Sequence, residues 1–491
     1  MGRMDGCTSL ILYTDSAISE HPQSAIAPRG THSAADTTSP DNKQRHPTQA
    51  LTLFDPNEPL MYNIILLFKV KKENPKKENQ MNSRERVLAA LNHQSPDKVP
   101  LDIGGHRSSG IAAIAYAKLK QELAISTGDI YVYDMVQQLA IVEEPVLDAL
   151  GVDVIEMGRG FLKDDSDWKD WVLPDGTPCK IPDYINIEKR AEDWWLLTDD
   201  GQELGVQKKG CLYFEQTYFP MRDRDITTDD FSNLEYDIGR TIWTGTPHPG
   251  AHLPLNTAGL KEMSIKAKAL RKSTDRAIVA LFGGNMFELP QWLYGMENYF
   301  VYMGLYPEDV IRLSEKICEI HMKNLEKWIG AVGPYIDVVL FGDDLGSQNS
   351  PLMSTQMYRD YFKPYHKKLW NRAKELADVK TMLHCCGSIT PLIPDLIEAG
   401  IDAINPVQIN CAGMDASELK AKFGNEITFW GGGCDTGNIL PNASPEAIRQ
   451  HVIRQVDVLN RDGGFVFQQV HNIMANVPAA NVVTMCKAIR N

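Results

Sequence analysis

The chain has 491 residues, of which 43% are hydrophobic and 23% charged, and its formal net charge is −14. This composition is typical of a globular protein, and the acidic excess argues against a nucleic-acid binder, which needs a basic surface to meet phosphates. Nine irregularly spaced cysteines favour reduced thiols and a cytoplasmic location, and no apolar stretch reaches the roughly 20 residues that cross a bilayer.

Residues 1–80 differ in composition from the rest of the chain. They are rich in Ser, Thr, Pro and charged residues, show no sustained periodicity, and are expected to be disordered. A start codon assigned too far upstream explains such a segment, and so does a targeting extension, which its acidic residues disfavour. The organised domain is expected to span 81–491 and to begin with a helix, because Asn82 and Glu85 have the spacing of a capping box.

Eight short apolar segments follow, and helical patterns separate most of them. The predicted strands are 99–103, 152–157, 277–282, 336–341, 379–383, 401–405, 427–430 and 464–469. The predicted helices are 313–328, 357–377, 393–399, 416–423, 445–460 and 479–489. Alternation of this kind implies parallel pairing, and eight units predict an α/β fold of the (β/α)₈ TIM barrel type. An open doubly wound sheet is the alternative, but the first strand lacks the glycine spacing of a dinucleotide loop.

Residues 161–275 interrupt this pattern after the second strand. Segments 168–179 and 194–214 contain turn signals between alternating apolar residues, which predicts β-hairpins. A hairpin-rich insertion at this place is expected to lie over the carboxyl-terminal mouth of the barrel.

Polar and metal-ligating residues follow the predicted strands. In a barrel these positions meet at one mouth, where active sites lie. The candidates are catalytic Asp344 and Glu288; substrate-binding His106, Arg107, Gln408 and Asn285; and metal-binding His384, Cys386, His471 and Cys434.

His384-Cys385-Cys386 is the most informative of these segments. Side chains alternate along a strand, so His384 and Cys386 are expected to face one way and Cys385 the other. An imidazole and a thiolate make half of a zinc site, and either His471 or Cys434 can supply the third ligand. The competing interpretation is chance spacing, with cysteines that merely pack in the core.

Several segments together resemble the uroporphyrinogen decarboxylase superfamily. They are 84–87 (RERV), 96–100 (PDKVP), 384–388 (HCCGS), 392–397 (LIPDLI), 405–408 (NPVQ), 430–433 (WGGG) and 470–473 (VHNI). The resemblance covers 81–491 and implies a (β/α)₈ barrel, in agreement with the strand count.

The resemblance implies one of two activities. True decarboxylases carry an Arg-Gln-Ala-Gly-Arg run after the first strand, where this chain has Gly104-Gly105-His106-Arg107-Ser108 and a single arginine. The other branch transfers methyl groups between a small methylated substrate and a corrinoid protein, with zinc held by a His-x-Cys pair and a late cysteine. The pair corresponds to His384 and Cys386, whereas the late position holds His471.

A zinc-dependent, corrinoid-linked methyltransferase is therefore the preferred expectation. The corrinoid would come from a partner protein, because no Asp-x-His-x-x-Gly signature is present. Uroporphyrinogen decarboxylation and a non-catalytic binding barrel remain the alternatives.

Overall fold

The computed structural model describes residues 80–490, and the predictions for residues 1–79 lie outside the described residues. The strands are β1 (Val132–Asp134), β2 (Leu139–Ala140), β3 (Val154–Glu156), β4 (Trp168–Val172), β5 (Pro178–Pro182), β6 (Asn186–Arg190), β7 (Asp193–Leu197), β8 (Glu203–Gln207), β9 (Glu215–Gln216), β10 (Ala277–Gly283), β11 (Val338–Gly342), β12 (Lys380–His384), β13 (Ala403–Asn405), β14 (Thr428–Trp430) and β15 (Phe465–Val466).

The helices alternate with the later strands. They are α1 (Ser83–Leu91), α2 (Ala113–Glu122), α3 (Glu144–Leu150), α4 (Leu234–Ile238), α5 (Ile242–Gly245), α6 (Thr257–Ser273), α7 (Glu288–Tyr294), α8 (Met296–Leu305), α9 (Pro307–Val332), α10 (Thr355–Tyr361), α11 (Lys363–Leu376), α12 (Ile393–Ala399), α13 (Ala416–Phe423), α14 (Ile439–Asn442), α15 (Pro445–Leu459) and α16 (Ala479–Ala488). None of those within residues 80–490 combines the length and apolar composition needed to span a membrane.

Seven strands form one parallel sheet in the order β15-β14-β13-β12-β11-β10-β3. Each neighbouring pair in this order is parallel, as strands joined by helical crossovers must be. The sheet confirms the predicted parallel α/β architecture, and each of its strands overlaps one of the predicted segments.

The remaining predicted strand, 99–103, is reduced to a single bridge from Leu101 to Phe467. On one side, the amide of Asp102 donates to the carbonyl oxygen of Phe467 and the amide of Phe467 donates to that of Pro100, both at 2.9 Å. On the other side, the amide of Asp153 donates to the carbonyl oxygen of Leu101 at 2.8 Å. Residues 100–102 thus join the two edges of the sheet, in a TIM-barrel-like arrangement.

Alternate residues of the strands enclose a small apolar core inside the sheet. Its members are Val87, Ala90, Leu91, Val154, Ala277, Val279, Val338, Leu340, Met382, Ala403, Trp430 and Val466. Helix α1 supplies the first three, and its predicted capping box is confirmed, with Asn82 and Glu85 bonded reciprocally at 2.9 Å. Because the inner residues recur every second position, the next inner positions fall on Glu156, His384, Asn405 and Gln468.

The predicted hairpins are present between β3 and β10. Strands β4 and β5 form one antiparallel sheet, and β6 to β9 form another. The segment after β9 packs on the helices that follow β10, where the amide of Met221 donates to the carbonyl oxygen of Leu293 at 2.8 Å. The last part of the predicted insertion forms α6, a 17-residue helix that leads into β10.

Asp153 supports the closure of the sheet and generates a test of it. Its buried carboxylate accepts hydrogen bonds from Arg86 Nη1 at 2.5 Å, the Leu101 amide at 2.9 Å and Ser83 Oγ at 2.7 Å. Asp153→Ala is expected to lower the free energy of unfolding by about 3 kcal/mol, because Arg86 Nη1 and the Leu101 amide lose their buried acceptor, although Arg86 keeps its ion pair with Asp97. Urea denaturation measures this, with Asp148→Ala as the control.

The Asp148 carboxylate is largely exposed, although it also pairs with an arginine, Arg276. Its removal is expected to cost less than about 1 kcal/mol. Similar losses in the two variants would contradict the proposed role of Asp153 in closing the sheet.

Candidate functional site

Three metal-ligating side chains meet beyond the carboxyl ends of β12 and β15. The ligand atoms of His384, Cys386 and His471 all lie within 4.8 Å of one another. His384 Nε2 is 3.5 Å from Cys386 Sγ, and the centroids of the two imidazole rings are 5.4 Å apart. Two imidazoles and one sulfur are a donor set that Zn²⁺ accepts.

The backbone and the surroundings of His471 are unusual. Its φ is 60°, in the left-handed region that residues with a β-carbon seldom adopt and that recurs at functional sites. Burial, together with the imidazoles of His384 and His106, lowers the pKa of His471 to about 3. The ring is therefore neutral at neutral pH, which is the form that ligates metals.

Asn405, the last residue of β13, orients His384. Its Oδ1 lies 2.9 Å from His384 Nδ1, and an amide oxygen only accepts, so Nδ1 carries the proton and Nε2 is left for a metal ion. The same oxygen accepts a hydrogen bond from the Ser108 hydroxyl. Nδ2 of Asn405 donates to the carbonyl oxygen of Trp430 at 2.8 Å and to Gln468 Oε1 at 2.7 Å. All polar atoms of the Asn405 amide are thus engaged.

The loop after β12 presents Cys386. The amide of Cys386 donates to Asp344 Oδ1, and the amide of Gly387 donates to Gln408 Oε1, both at 2.7 Å. Gly387 has a φ of 92°, and a β-carbon there would lie 2.3 Å from the carbonyl carbon of Gly346. Burial and the Asp344 charge raise the pKa of the Cys386 thiol, so this sulfur keeps its proton unless a cation is bound.

Asp343 holds the loop that leads into α7, whose first residue is Glu288. Its fully buried carboxylate accepts from the backbone amides of residues 286–288 at 2.6–2.9 Å and lies 2.9 Å from His366 Nε2. The other ring nitrogen of His366 is 3.1 Å from the hydroxyl of Tyr358. The loop is therefore tied to β11 and to helices α10 and α11.

Glu288 and Asp344 lie side by side at the mouth. Glu288 Oε2 accepts from the amide of Asp344 at 3.0 Å and from Nδ2 of Asn285 at 2.8 Å. Asp344 Oδ1 is 3.5 Å from His384 Nε2. Burial and the charges of Asp344 and Asp343 raise the pKa of Glu288 well above its ordinary value, which favours the protonated form of this carboxyl group. Two carboxyl groups thus lie together close to His384 Nε2.

His106 and Arg107 have different surroundings. His106 is fully enclosed, with Nε2 3.1 Å from Asp102 Oδ2. Arg107 Nε lies 2.6 Å from Asp134 Oδ2, and its guanidinium sits 5.1 Å above the ring of Trp243. Within residues 80–490, the terminal nitrogens of Arg107 have no hydrogen-bond acceptor. Arg107 is thus paired only through Nε, whereas His106 and Gln408 are engaged with the protein.

Cys434 and Cys385 lie outside the ligand group. In the described part of the chain, the group contains His471 and not Cys434. Cys434 is fully buried, with Sγ 3.9 Å from the carbonyl oxygen of Asp435, and burial raises the pKa of its thiol. Cys385 is also buried and accepts from the amide of Leu345 at 3.3 Å. The opposite orientation expected for Cys385 and Cys386 is thus observed.

Several supporting residues were not singled out from the sequence. Asn405 and Gln468 lie two positions beyond Ala403 and Val466, which face the inner core. Extending the inward periodicity of each strand past its apolar residues would have identified them. No comparable signal exists for Asp102, which also accepts from Nε1 of Trp430 at 2.8 Å.

Comparison with known proteins identifies a family for the C-terminal part. The family model described as Uroporphyrinogen decarboxylase (URO-D) matches residues 255–491. A methylated-thiol–coenzyme M methyltransferase of Methanosarcina mazei is 27% identical over 141 residues, which are 27% of this chain and 35% of that protein. A methylcobamide:CoM methyltransferase, MtbA, of Methanosarcina acetivorans is 29% identical over 140 residues, 28% of this chain and 38% of the relative. These matches span little more than a third of the length of the curated relatives.

A solved structure supports the fold over a longer range. A methyltransferase from Methanosarcina mazei superposes with a TM-score of 0.51 and 14% sequence identity, covering 84% of this chain and 98% of that one. At this identity the likeness concerns the fold alone.

The hydrogen bonds of Asn405 generate a test of the site. Asn405→Ala is expected to lower the free energy of unfolding by about 2–4 kcal/mol, since it removes the partners of His384 Nδ1 and Gln468 Oε1. Urea denaturation checks this, with Asn349→Ala in an exposed loop as the control. If both variants were equally stable, the Asn405 network would not be the support described.

Proposed function

We propose that this chain, whose residues 255–491 belong to the uroporphyrinogen decarboxylase (URO-D) family, is a zinc-dependent methyltransferase that exchanges a methyl group between a small thiol and the corrinoid of a partner protein. The observation that carries this proposal is the group of His384, Cys386 and His471 at the mouth. Such nitrogen and sulfur ligands suit a zinc ion that activates another thiol. The names of the two relatives, which refer to methylated thiols, methylcobamide and coenzyme M, favour the same reaction class.

The spacing of His384 and Cys386 fits the proposed ion. Zinc–nitrogen and zinc–sulfur bonds of about 2.0 and 2.3 Å place two tetrahedral ligands about 3.5 Å apart. The separation of His384 Nε2 and Cys386 Sγ is 3.5 Å. Three protein ligands leave a fourth position for a substrate thiol, whose pKa a bound zinc ion would lower.

The other residues of the site orient these ligands and handle protons. Asn405 fixes the tautomer of His384, and Asp344 and Gln408 fix the loop of Cys386. We assign Glu288 and Asp344 to proton transfer, because the two lie side by side at the mouth and burial raises the pKa of Glu288. His106 and Gln408 then act as positioning residues, as does Asn285 through its bond to Glu288.

The proposed transfer forms one bond and breaks one. The thiol proton passes to the Asp344 carboxylate or to water, and the sulfur attacks the methyl carbon of the methylated corrinoid. A carbon–sulfur bond forms, the carbon–cobalt bond breaks, and its electron pair stays on the cobalt. The corrinoid comes from a partner, which must dock where the mouth is open. We place the reaction in the cytoplasm, where the sulfur of Cys386 stays reduced.

Arg107 distinguishes this proposal from decarboxylation of uroporphyrinogen. A substrate with many carboxylates calls for several arginines with free guanidinium edges. Here the single arginine after the first strand already pairs with Asp134 through Nε. Its terminal nitrogens suffice for one anionic group on a small substrate, which favours methyl transfer.

The metal proposal predicts a contrast between two adjacent cysteines. Wild-type protein is expected to contain about one zinc per chain. Cys386→Ser should lose most of it, because a serine hydroxyl is a weak zinc ligand, whereas Cys385→Ser should keep it. Elemental analysis of the purified proteins measures the content. Equal losses in both variants, or full activity of metal-free protein, would exclude this site.

The reaction proposal predicts methyl transfer without decarboxylation. Incubation of the protein with methylcobalamin and a small thiol should yield the methyl thioether, detected by mass spectrometry. Incubation with uroporphyrinogen should yield no coproporphyrinogen. Formation of coproporphyrinogen, with no thioether from any thiol, would replace this proposal with the decarboxylase alternative.

A further inference from the structure

An exposed apolar surface lies on α8 and just after it. Nine large apolar side chains of residues 80–490 are exposed, and four of them fall within eleven consecutive residues: Met296, Val301, Leu305 and Tyr306. Their exposed fractions are 49%, 52%, 66% and 40%. Single apolar residues scattered over a surface are ordinary, whereas a contiguous group marks an interaction site.

The sequence of α8 accounts for this surface. Glu297 is the only charged residue among the ten of the helix, so α8 is apolar on nearly every side. Tyr299 and Met303 are buried on its inner face, while Val301 and Leu305, four positions apart, share its outer face. A helix that is apolar all round is ordinarily covered all round. Within residues 80–490, the outer face of α8 has no such cover.

One flank of this surface adjoins the loop that leads to Glu288. Phe300 on α8 is half-buried, and its ring centroid lies 5.9 Å from that of Phe287, which immediately precedes Glu288. A helix with its side chains is about 10–12 Å across, so the outer face of α8 lies within roughly 20 Å of Glu288. A small domain is about 30 Å wide. A protein seated over the mouth would therefore reach α8.

The other flank is acidic. Segment 222–230 packs along α8, where Asn298 Nδ2 donates to the carbonyl oxygen of Arg222 and the Tyr302 hydroxyl donates to that of Arg224, both at 3.1 Å. The exposed carboxylates around the apolar surface are those of Asp223, Asp225, Asp230, Glu297 and Glu308. Of the two cations in segment 222–230, Arg224 is paired with Asp237, and Arg222 alone is exposed. The rim of the surface is therefore negatively charged.

The acidic rim decides which occupant fits. Two copies of this chain joined through the same surface would place these carboxylates opposite one another, and like charges across an interface disfavour association. A different protein, with an apolar centre and basic residues around it, is complementary to this surface.

We propose that α8 and segment 222–230 form the docking surface for the protein that carries the corrinoid, and that this protein presents an apolar patch surrounded by lysine and arginine. This assignment of the partner's surface rests on the proposed methyl transfer, because that reaction requires a second protein over the mouth. Val301 and Leu305 form the centre of the contact, and the surrounding carboxylates steer the approach of the partner.

The test separates docking from chemistry by means of two methyl donors. One is a methylated corrinoid protein, purified from the source organism by its cobalamin absorbance, and the other is free methylcobalamin, which needs no protein–protein contact. Leu305→Glu should raise the KM for the corrinoid protein by about tenfold or more, because a carboxylate without a partner would be buried in the interface. It should leave the KM for methylcobalamin within about twofold.

Ile265→Glu is the matched control. Ile265 lies on α6 and is 60% exposed, so its replacement adds the same charge at an equally exposed apolar position. It should change neither value. The wild-type KM for the corrinoid protein should also rise with added salt, which screens the acidic rim, whereas that for methylcobalamin should stay constant.

An equal effect of Leu305→Glu on both donors would overturn the proposal, because the substitution would then act on the fold or on the reaction. A wild-type dimer in analytical ultracentrifugation that Leu305→Glu abolishes would also overturn it, since a second copy would then cover the surface.

Direct binding of the corrinoid protein, measured by calorimetric titration, distinguishes the two proposals. Binding that Leu305→Glu weakens, without methyl transfer from either donor, supports the docking surface and contradicts the proposed reaction. Methyl transfer from both donors that Leu305→Glu leaves unchanged supports the reaction and excludes this docking surface.

Discussion

The backbone of residues 100–102 is the constraint on which the rest of the molecule depends. These residues hydrogen bond to Phe467 on one side and to Asp153 on the other, although they form no regular strand of their own. Without this link the sheet would have two open edges, and the ends of β3 and β15 would not be held near each other. Closure therefore determines that side chains from distant parts of the sequence share one mouth.

Closure of the sheet also buries a layer of polar side chains next to the inner apolar core. The layer formed by Asp102, Asn405 and Gln468 is buried, so each polar atom requires a partner. Asn405 meets this requirement by bonding across three strands and to the Ser108 hydroxyl. A fully satisfied network of this kind is rigid, which keeps the imidazole of His384 in a single orientation. The imidazole of His384 is thus oriented without any bound ion or substrate.

The sequence allowed the parallel sheet and the pairing of His384 with Cys386 to be predicted, because both follow from local periodicity. The periodicity of two also separated Cys385 from Cys386. Periodicity could not reveal that the predicted strand 99–103 forms only a single bridge at Leu101, since the length of a strand depends on its pairing with the strands on either side. The preference for His471 over Cys434 as the third ligand came from the family resemblance and the position of His471 at the end of the last strand. Periodicity alone could not give it, because His471 lies in a backbone turn with positive φ. Helix α6 was not predicted as a helix. It was included in the predicted insertion, because turn and hairpin signals dominate the segment before it.

Asp343 has a consequence for how the sequence of this protein can evolve. Its carboxylate holds the amides of residues 286–288 and is held in turn by His366. The position of Glu288, the first residue of α7, is therefore set by β11 and α11, and not by the rest of α7 or by α8. Those helices, and the insertion packed on them, can vary in length and sequence while the acid stays in place. The helices and the insertion around the mouth can accordingly evolve without displacing the carboxyl group of Glu288.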